Sequence, residues 1–166
     1  MSIRIREAVP ADGAALAELL AGGTLDPGRE DPTDPAPYRE ALAEIANSAG
    51  TWVLVAEDGD TGEVVGMCQL LVFRHVQERG GRCAEIESAH VRADRRGQGI
   101  GAMLAAACVE RAHAAGCYRL QLTSNARRHD AHRFWEREGF TPSHVGFKRS
   151  LVGHDRPARD PARDDR

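Results

Sequence analysis

Apolar and polar positions alternate at the start of the chain, in Ile3-Arg4-Ile5-Arg6, and this period of two predicts a strand over Ile3–Ala8. From Pro10 the period lengthens. Ala14, Leu16, Leu19 and Leu20 recur at helical spacing behind Pro10-Ala11-Asp12, a combination that opens helices. Thr24–Pro37 carries four of the eight prolines among several acids and reads as a loop. Tyr38, Leu42 and Ile45 set a second helix over Tyr38–Ser48. Trp52–Glu57 has the unbroken apolar character of a buried strand. Asp58-Gly59-Asp60-Thr61-Gly62 is a hairpin turn, and Val64–Val76 is the returning strand. A turn over Glu78–Arg82 leads into a further strand, Cys83–Val91. The longest helical pattern follows, Ile100–Ala115, with Ile100, Met103, Leu104, Ala107 and Cys108 on its core face and Gly116 placed to stop it. A strand over Tyr118–Thr123, a helix over Asp130–Glu138 and a last strand over His144–Leu151 complete the order. Residues 153–166 are charged and proline-bearing with nothing to bury, so a disordered tail is expected behind one domain over 1–152.

The junction Ile86–Ala102, IESAHVRADRRGQGIGA, carries the most chemistry. Gly97, Gly99 and Gly101 alternate there behind Arg95 and Arg96. A helix N-terminus presents unpaired N–H groups and a partial positive charge. Glycine lets an anion approach that backbone, so a phosphate or pyrophosphate cradle is predicted. A nucleoside triphosphate loop would need Lys followed by Ser or Thr, and the only lysine is Lys148. Gly97-x-Gly99-x-x-Ala102 matches the dinucleotide fingerprint as a bare pattern. The next strand, however, ends Gln121-Leu122-Thr123-Ser124-Asn125, without the ribose-binding acid, and too little chain remains for further βα units. A cradle for the pyrophosphate of an acyl-CoA is the third reading.

Composition narrows the partners. At 166 residues and 42% hydrophobic content the chain can bury one respectable core. A net charge of −3 argues against a nucleic-acid footprint, which is normally basic. No apolar run approaches the roughly 18–20 residues of a membrane span, and the N-terminus enters a strand pattern at once, so no membrane partner or leader is expected. Cys68, Cys83, Cys108 and Cys117 lie in apolar runs without a CxxC pair, as buried free thiols in a reducing cytoplasm would. His129 and His132 are three apart on a helix but lack an evident third ligand, so no metal is expected.

The chain resembles the GNAT (GCN5-related N-acetyltransferase) superfamily. Arg96-Gly97-Gln98-Gly99-Ile100-Gly101 matches that family's Q/R-x-x-G-x-G/A pattern. Asn125, then Phe134 on the following helix, then Glu138-Gly139-Phe140 match its second signature in register. The likeness covers Cys83–Leu151; the N-terminal half is compatible but carries no motif. It implies an α/β (α+β) fold, a mixed twisted sheet of six to seven strands flanked by about four helices. It also implies acetyl-CoA as co-substrate and, by analogy, a homodimer. Arg96, Gly97, Gln98, Gly99, Ile100, Gly101 and Ala102 would surround the pyrophosphate. The pantetheine arm would lie along Ala89, His90 and Val91, where two parallel strands splay apart, with the Val91 N–H toward the thioester carbonyl. Asn125, Phe134 and Trp135 would stand on the other side of CoA.

For the chemistry, the resemblance makes Glu87 the general base, acting through water. Glu85 shares its face in a regular strand and is the second candidate; His90 is the third. A carboxylate paired with arginine on a solvated sheet face is the structural alternative. Relatives often place Tyr, as general acid, where this chain has Trp135. Indole cannot serve as that acid, but a thiol of pKa near about 8.5 leaves as thiolate. Arg127–Phe134, Arg137-Glu138-Gly139 and Ser143-His144 look like the C-terminal part of aminoalkylphosphonate N-acetyltransferases. Arg74, His75, Arg127 and Arg128 could then bond an acidic group on the acceptor, or Arg127 and Arg128 a CoA phosphate. The expected function is acetyl transfer to a primary amine of a small molecule by direct attack. A protein or peptide N-acetyltransferase and a non-catalytic acyl-CoA-binding sensor are the alternatives.

Overall fold

A computed structural model describes residues 2–149 and residue 151. One mixed sheet runs in the order β1 (Ile3–Glu7), β2 (Thr51–Asp58), β3 (Val64–Arg74), β4 (Arg82–Val91) and β5 (Cys117–Leu122). The first four strands pair antiparallel and β5 lies parallel to β4. Helices α1 (Gly13–Gly23) and α2 (Ala36–Ala46) precede β2; α3 (Gln77–Gly80) is a single turn between β3 and β4. α4 (Ile100–Ala114) connects β4 to β5, and α5 (His129–Arg137) follows.

Each face of the sheet is covered. Leu54, Cys68, Leu70, Ala84 and Ile86 meet Ile100, Leu104 and Cys108 of α4. On the other face Val53, Val55 and Met67 meet Leu16 and Leu19 of α1 and Leu42 of α2. β2 is thus buried from both sides, which is why its sequence is a continuous apolar run instead of an alternation. Each large aliphatic side chain withdrawn from water in these layers contributes on the order of 1.5–3 kcal/mol. The Cys68 and Cys108 thiols touch at 3.3 Å in the α4 layer, and all four cysteines are free. Among the described residues no helix is long and apolar enough to cross a membrane.

Four expectations need correction. The described sheet has five strands, not six to seven, because residues 144–149 of the expected last strand form no ladder. That segment passes Thr123, with Gly146 beside its methyl group, beyond the last residue of β5. Val145 and Phe147 are left 78% and 90% exposed. Second, the α-helices among the described residues number five instead of about four. The extra one is α3, read from sequence as a turn, and its Glu78 and Arg79 have left-handed φ of 52° and 56°. Third, Pro37 lies inside the first turn of α2 and not in the loop; its missing N–H is no loss there. Fourth, Met103 turns outward at 39% exposure instead of into the core. The predicted tail, 153–166, lies outside the described residues.

Candidate active site

β4 changes partner and phase at its midpoint. Its parallel pairing with β5 runs only from Arg82 to Ile86, opposite Cys117 to Leu122, whereas its pairing with β3 continues to Val91. Glu87–Val91 therefore has an open edge on the β5 side. In the same stretch the β3 register slips: Gln69 faces Glu87 but Met67 faces His90. Ser88 and Ala89 together stand opposite Cys68, a β-bulge, and Ser88 takes the left-handed φ of 51°. Few non-glycine residues adopt that conformation. The bulge places His90 on the same face as Met67 and hence as Glu87. Continued alternation would have put it with Ala84 and Ile86 against α4. The face toward α1 thus carries Glu85, Glu87 and His90 in a row.

The acids in this row act on one another. Burial among neighbouring groups, then the adjacent Glu85 carboxylate, hold the Glu87 carboxyl above the ordinary glutamate range, partly opposed by the Ser88 N–H. Gln121 of β5 donates to Glu85 at 3.0 Å and steadies that member of the pair. Neither acid has an arginine partner among the described residues. The solvated carboxylate–arginine pair weighed from the sequence is thus absent at Glu87. His90 is pushed below the usual histidine value, first by burial and then by the positive Arg128 and Arg96, so its imidazole is neutral at pH 7. Its ring packs so closely on Gly23, at the end of α1, that any Cβ there would overlap it.

Past the open edge, the chain turns into α4. Gly97 and Gly99 have φ of 75° and 80°, and a Cβ at either would meet no atom within 4 Å. Conformation and open space, not crowding, explain these two glycines. Gly101 differs: a Cβ there would lie 3.1 Å from Phe134 of α5, so this glycine lets the two helices approach. The first helical bond runs from Met103 N–H to Gly99 O at 3.1 Å. The N–H groups of Ile100, Gly101 and Ala102 lie ahead of the ladder, at the positive end of the helix. The turn itself is fastened from behind. Arg95 donates at 2.5 Å to Asp58, which is 2% exposed and lies at the end of β2. The Asp60 N–H and then Arg95 keep that carboxyl below its usual range. Gln98 donates to Asp94 O, and Arg96 Nε donates to Val91 O at 3.1 Å. Arg96 is thus tied to the last residue of β4. The arrangement is a helix N-terminus with open space at Gly97 and Gly99 and a buried anchor beneath, the geometry that suits an anion.

The far wall divides the expected cofactor residues. Phe134 lies over Gly101 of the turn. Trp135 is partly buried, stacks edge-on with Phe134 and Phe140 and packs against the α4 core layer. Asn125 spends its side-chain oxygen on the Arg127 N–H at 2.9 Å and its carbonyl on the Arg128 N–H, shaping the loop before α5. His132 contacts the same Asn125 carbonyl, and no group of three metal-ligating side chains is found among the described residues. His75 pairs with Tyr118, and Arg74 with the Gly80 carbonyl, both at the opposite end of β4 from the bulge. They do not join the row. Arg128 does, by donating to the Gly23 carbonyl beside His90. Sequence reasoning missed the Ser88 bulge, the Arg95–Asp58 anchor and the role of Gln121. A continuous β4 register compared with the β3 pattern would have shown only the first.

Comparison with known proteins agrees with this architecture. Residues 16–140 match the family model described as acetyltransferase (GNAT) family. An aminoalkylphosphonate N-acetyltransferase from Salmonella typhimurium is 41% identical over 90 residues, 54% of this chain; the match spans 58% of that enzyme's length. An L-methionine sulfoximine/L-methionine sulfone acetyltransferase from Pseudomonas aeruginosa is 35% identical over 121 residues, 71% of this chain and 68% of the other. The crystal structure of a transcriptional regulator from Bacillus halodurans C-125 superposes with a TM-score of 0.84 at 36% identity, covering 90% of this chain and all of that one.

Proposed function

Since the chain belongs to the GNAT acetyltransferase family, we propose that it is an acyl-CoA-dependent N-acetyltransferase that moves an acetyl group from acetyl-CoA to a primary amine of a small molecule. The observation that carries the proposal is the adjacency of two features. An open glycine turn heads α4, and a pair of neighbouring carboxylates, Glu85 and Glu87, lies on the strand that feeds it. Both curated relatives named above act, by their names, on small amines.

In this proposal the N–H groups ahead of the α4 ladder hold the donor's pyrophosphate, with Arg96 adding charge. The open edge of Glu87–Val91 takes the pantetheine arm as an added strand would be taken. The acceptor arrives as an ammonium, since an alkylamine with pKa near about 10 is mostly protonated at neutral pH. Two close carboxylates attract it. Glu87, whose raised proton affinity narrows the gap to the ammonium, removes the proton through water. The amine nitrogen then bonds the thioester carbonyl carbon, the nitrogen of the adduct gives its extra proton to water, the C–S bond breaks, and the sulfur leaves as thiolate, taking a proton from solvent. Trp135 has no part in that last step, because an indole N–H donates a hydrogen bond but releases no proton in this range.

A thiol-release assay with acetyl-CoA tests the proposal against a panel of aminoalkylphosphonates, amino acids, amino sugars, polyamines and short peptides. Turnover with a small amine is expected. Turnover with peptides alone would move the acceptor class to proteins. CoA binding by calorimetry without any turnover would make the chain an acyl-CoA sensor, and absence of CoA binding would overturn the role of the Arg96–Ala102 turn.

A further inference from the structure

Arg128 opens α5 at the His90 end of the row. It is half buried, and its guanidinium donates to one acceptor, the Gly23 carbonyl at the end of α1. Arg4, Arg6, Arg92, Arg95, Arg111 and Arg133 each meet a carboxylate; Arg128 meets none among the described residues. Glu30, the acid that contributes to the field at His90, already accepts the Tyr38 hydroxyl at 2.8 Å. A guanidinium carries five N–H donors in a planar fork suited to two-oxygen anions. One backbone carbonyl leaves most of that fork unused, and partial burial makes an unpaired charge unfavourable.

We propose that Arg128 receives an anionic group on the amine acceptor, a phosphonate, phosphate or carboxylate, so that the substrate lies across the cleft with its ammonium at Glu85 and Glu87 and its acid at Arg128. The identity of the ammonium end rests on the acetyltransferase proposal; the anion subsite does not. The row on β4 supplies the polarity: two acids at one end, a cation at the other, and His90 between them. A neutral imidazole at that midpoint adds no charge that would repel either end, and its close packing on Gly23 fixes the carbonyl that steadies the guanidinium. Arg96 does not compete, since its Nε is held by Val91 O on the donor side.

The test compares wild type with Arg128→Gln and Arg128→Lys. Two acceptors are used, 2-aminoethylphosphonate and n-propylamine, alike in length but differing in the acid. The ratio of kcat/KM for the first over the second is expected to fall about 10- to 100-fold in Arg128→Gln, as loss of a charge-assisted fork predicts, and to recover in part in Arg128→Lys. An equal loss for both amines overturns the proposal, as does an unchanged ratio with a raised KM for acetyl-CoA, which would assign the guanidinium to the donor's phosphates. Ethylphosphonate, which has no amine, gives a second readout by calorimetry on the CoA-saturated protein, with binding at least 10-fold weaker in Arg128→Gln expected. Arg128-dependent ethylphosphonate binding without acetyl transfer would keep the subsite and overturn the acetyltransferase proposal. Acetyl transfer with no dependence on Arg128 in either readout would do the reverse.

Discussion

On its α4 side β4 offers Ala84 and Ile86, both buried, to the apolar layer; on its α1 side it carries Glu85, Glu87 and His90. The two faces are built from interleaved residues of one strand yet obey different constraints. The apolar face is governed by packing, which tolerates little change of volume. The polar face is governed by charge: carboxylates kept close enough to disturb one another, and an imidazole kept neutral. The polar face is where the protein forgoes stability, since a raised carboxyl and a depressed imidazole are both groups the fold would hold more easily uncharged.

That contrast breaks most sharply at Glu87. Glu87→Gln is expected to lower kcat about 10²- to 10³-fold with acetyl-CoA affinity unchanged within twofold, measured by steady-state kinetics and calorimetry. The wild-type rate should rise with pH through a limb above the ordinary glutamate range, and the substitution should abolish that limb. The stability sign is opposite. A carboxyl whose folded pKa is raised gives its full stability below its unfolded value and loses it as pH rises through the folded one. At neutral pH Glu87→Gln should therefore melt slightly higher than wild type. His90 contributes in the other sense: its folded value is depressed, so stability is complete above the unfolded histidine value and is lost as pH falls toward the folded one.

One residue away, Ile86→Ala should reverse the pattern. It removes a buried side chain facing α4, so a loss of about 2–4 kcal/mol in denaturant unfolding is expected. The protein that remains folded should bind acetyl-CoA and turn over within a few-fold of wild type. Equal damage to activity from Ile86→Ala and Glu87→Gln would refute the division of the strand into a packing face and a chemical face.

The smallest effect belongs to Ser88, between the faces. With φ at 51°, Ser88→Gly should relieve strain and stabilise by up to about 1 kcal/mol. Ser88→Val, β-branched in a left-handed conformation, should cost roughly 1–2 kcal/mol. If both melt like wild type, Ser88 is not held in that conformation in solution.

These positions also mark how far the sequence is legible. The α4 turn declares itself, because positive φ and a free helix end both demand glycine, and Gly97 and Gly99 sit where both demands meet. β2 and β3 are legible from unbroken apolar runs. Ser88 gives no such signal, since serine is not a residue that left-handed backbone selects; only the paired register of β3 exposes it. Trp135 stands out in the sequence because relatives often carry Tyr at its place; its ring stacks edge-on with Phe134 and Phe140 and packs against the α4 layer, which neighbouring residues in the sequence do not reveal. The apolar residues of His144–Leu151 alternate like a strand, yet alternation specifies a face and not a partner. Arg128 was one of two adjacent arginines in the sequence; the Gly23 carbonyl, more than a hundred residues away, separates it from Arg127.

The bulge also bears on how this strand is aligned and altered. β4 carries one residue more than β3 needs opposite it, so a single-residue deletion at Ser88 would leave Glu87 and His90 on the side they now share. The same deletion between Glu85 and Glu87 would exchange packing face for cleft face in everything that follows. Counting residues without gaps from the glycine turn back to the acids therefore misassigns sidedness by one whenever a related chain has a regular strand here. Insertions and deletions, more than substitutions, are the changes this half of β4 sorts into harmless and ruinous.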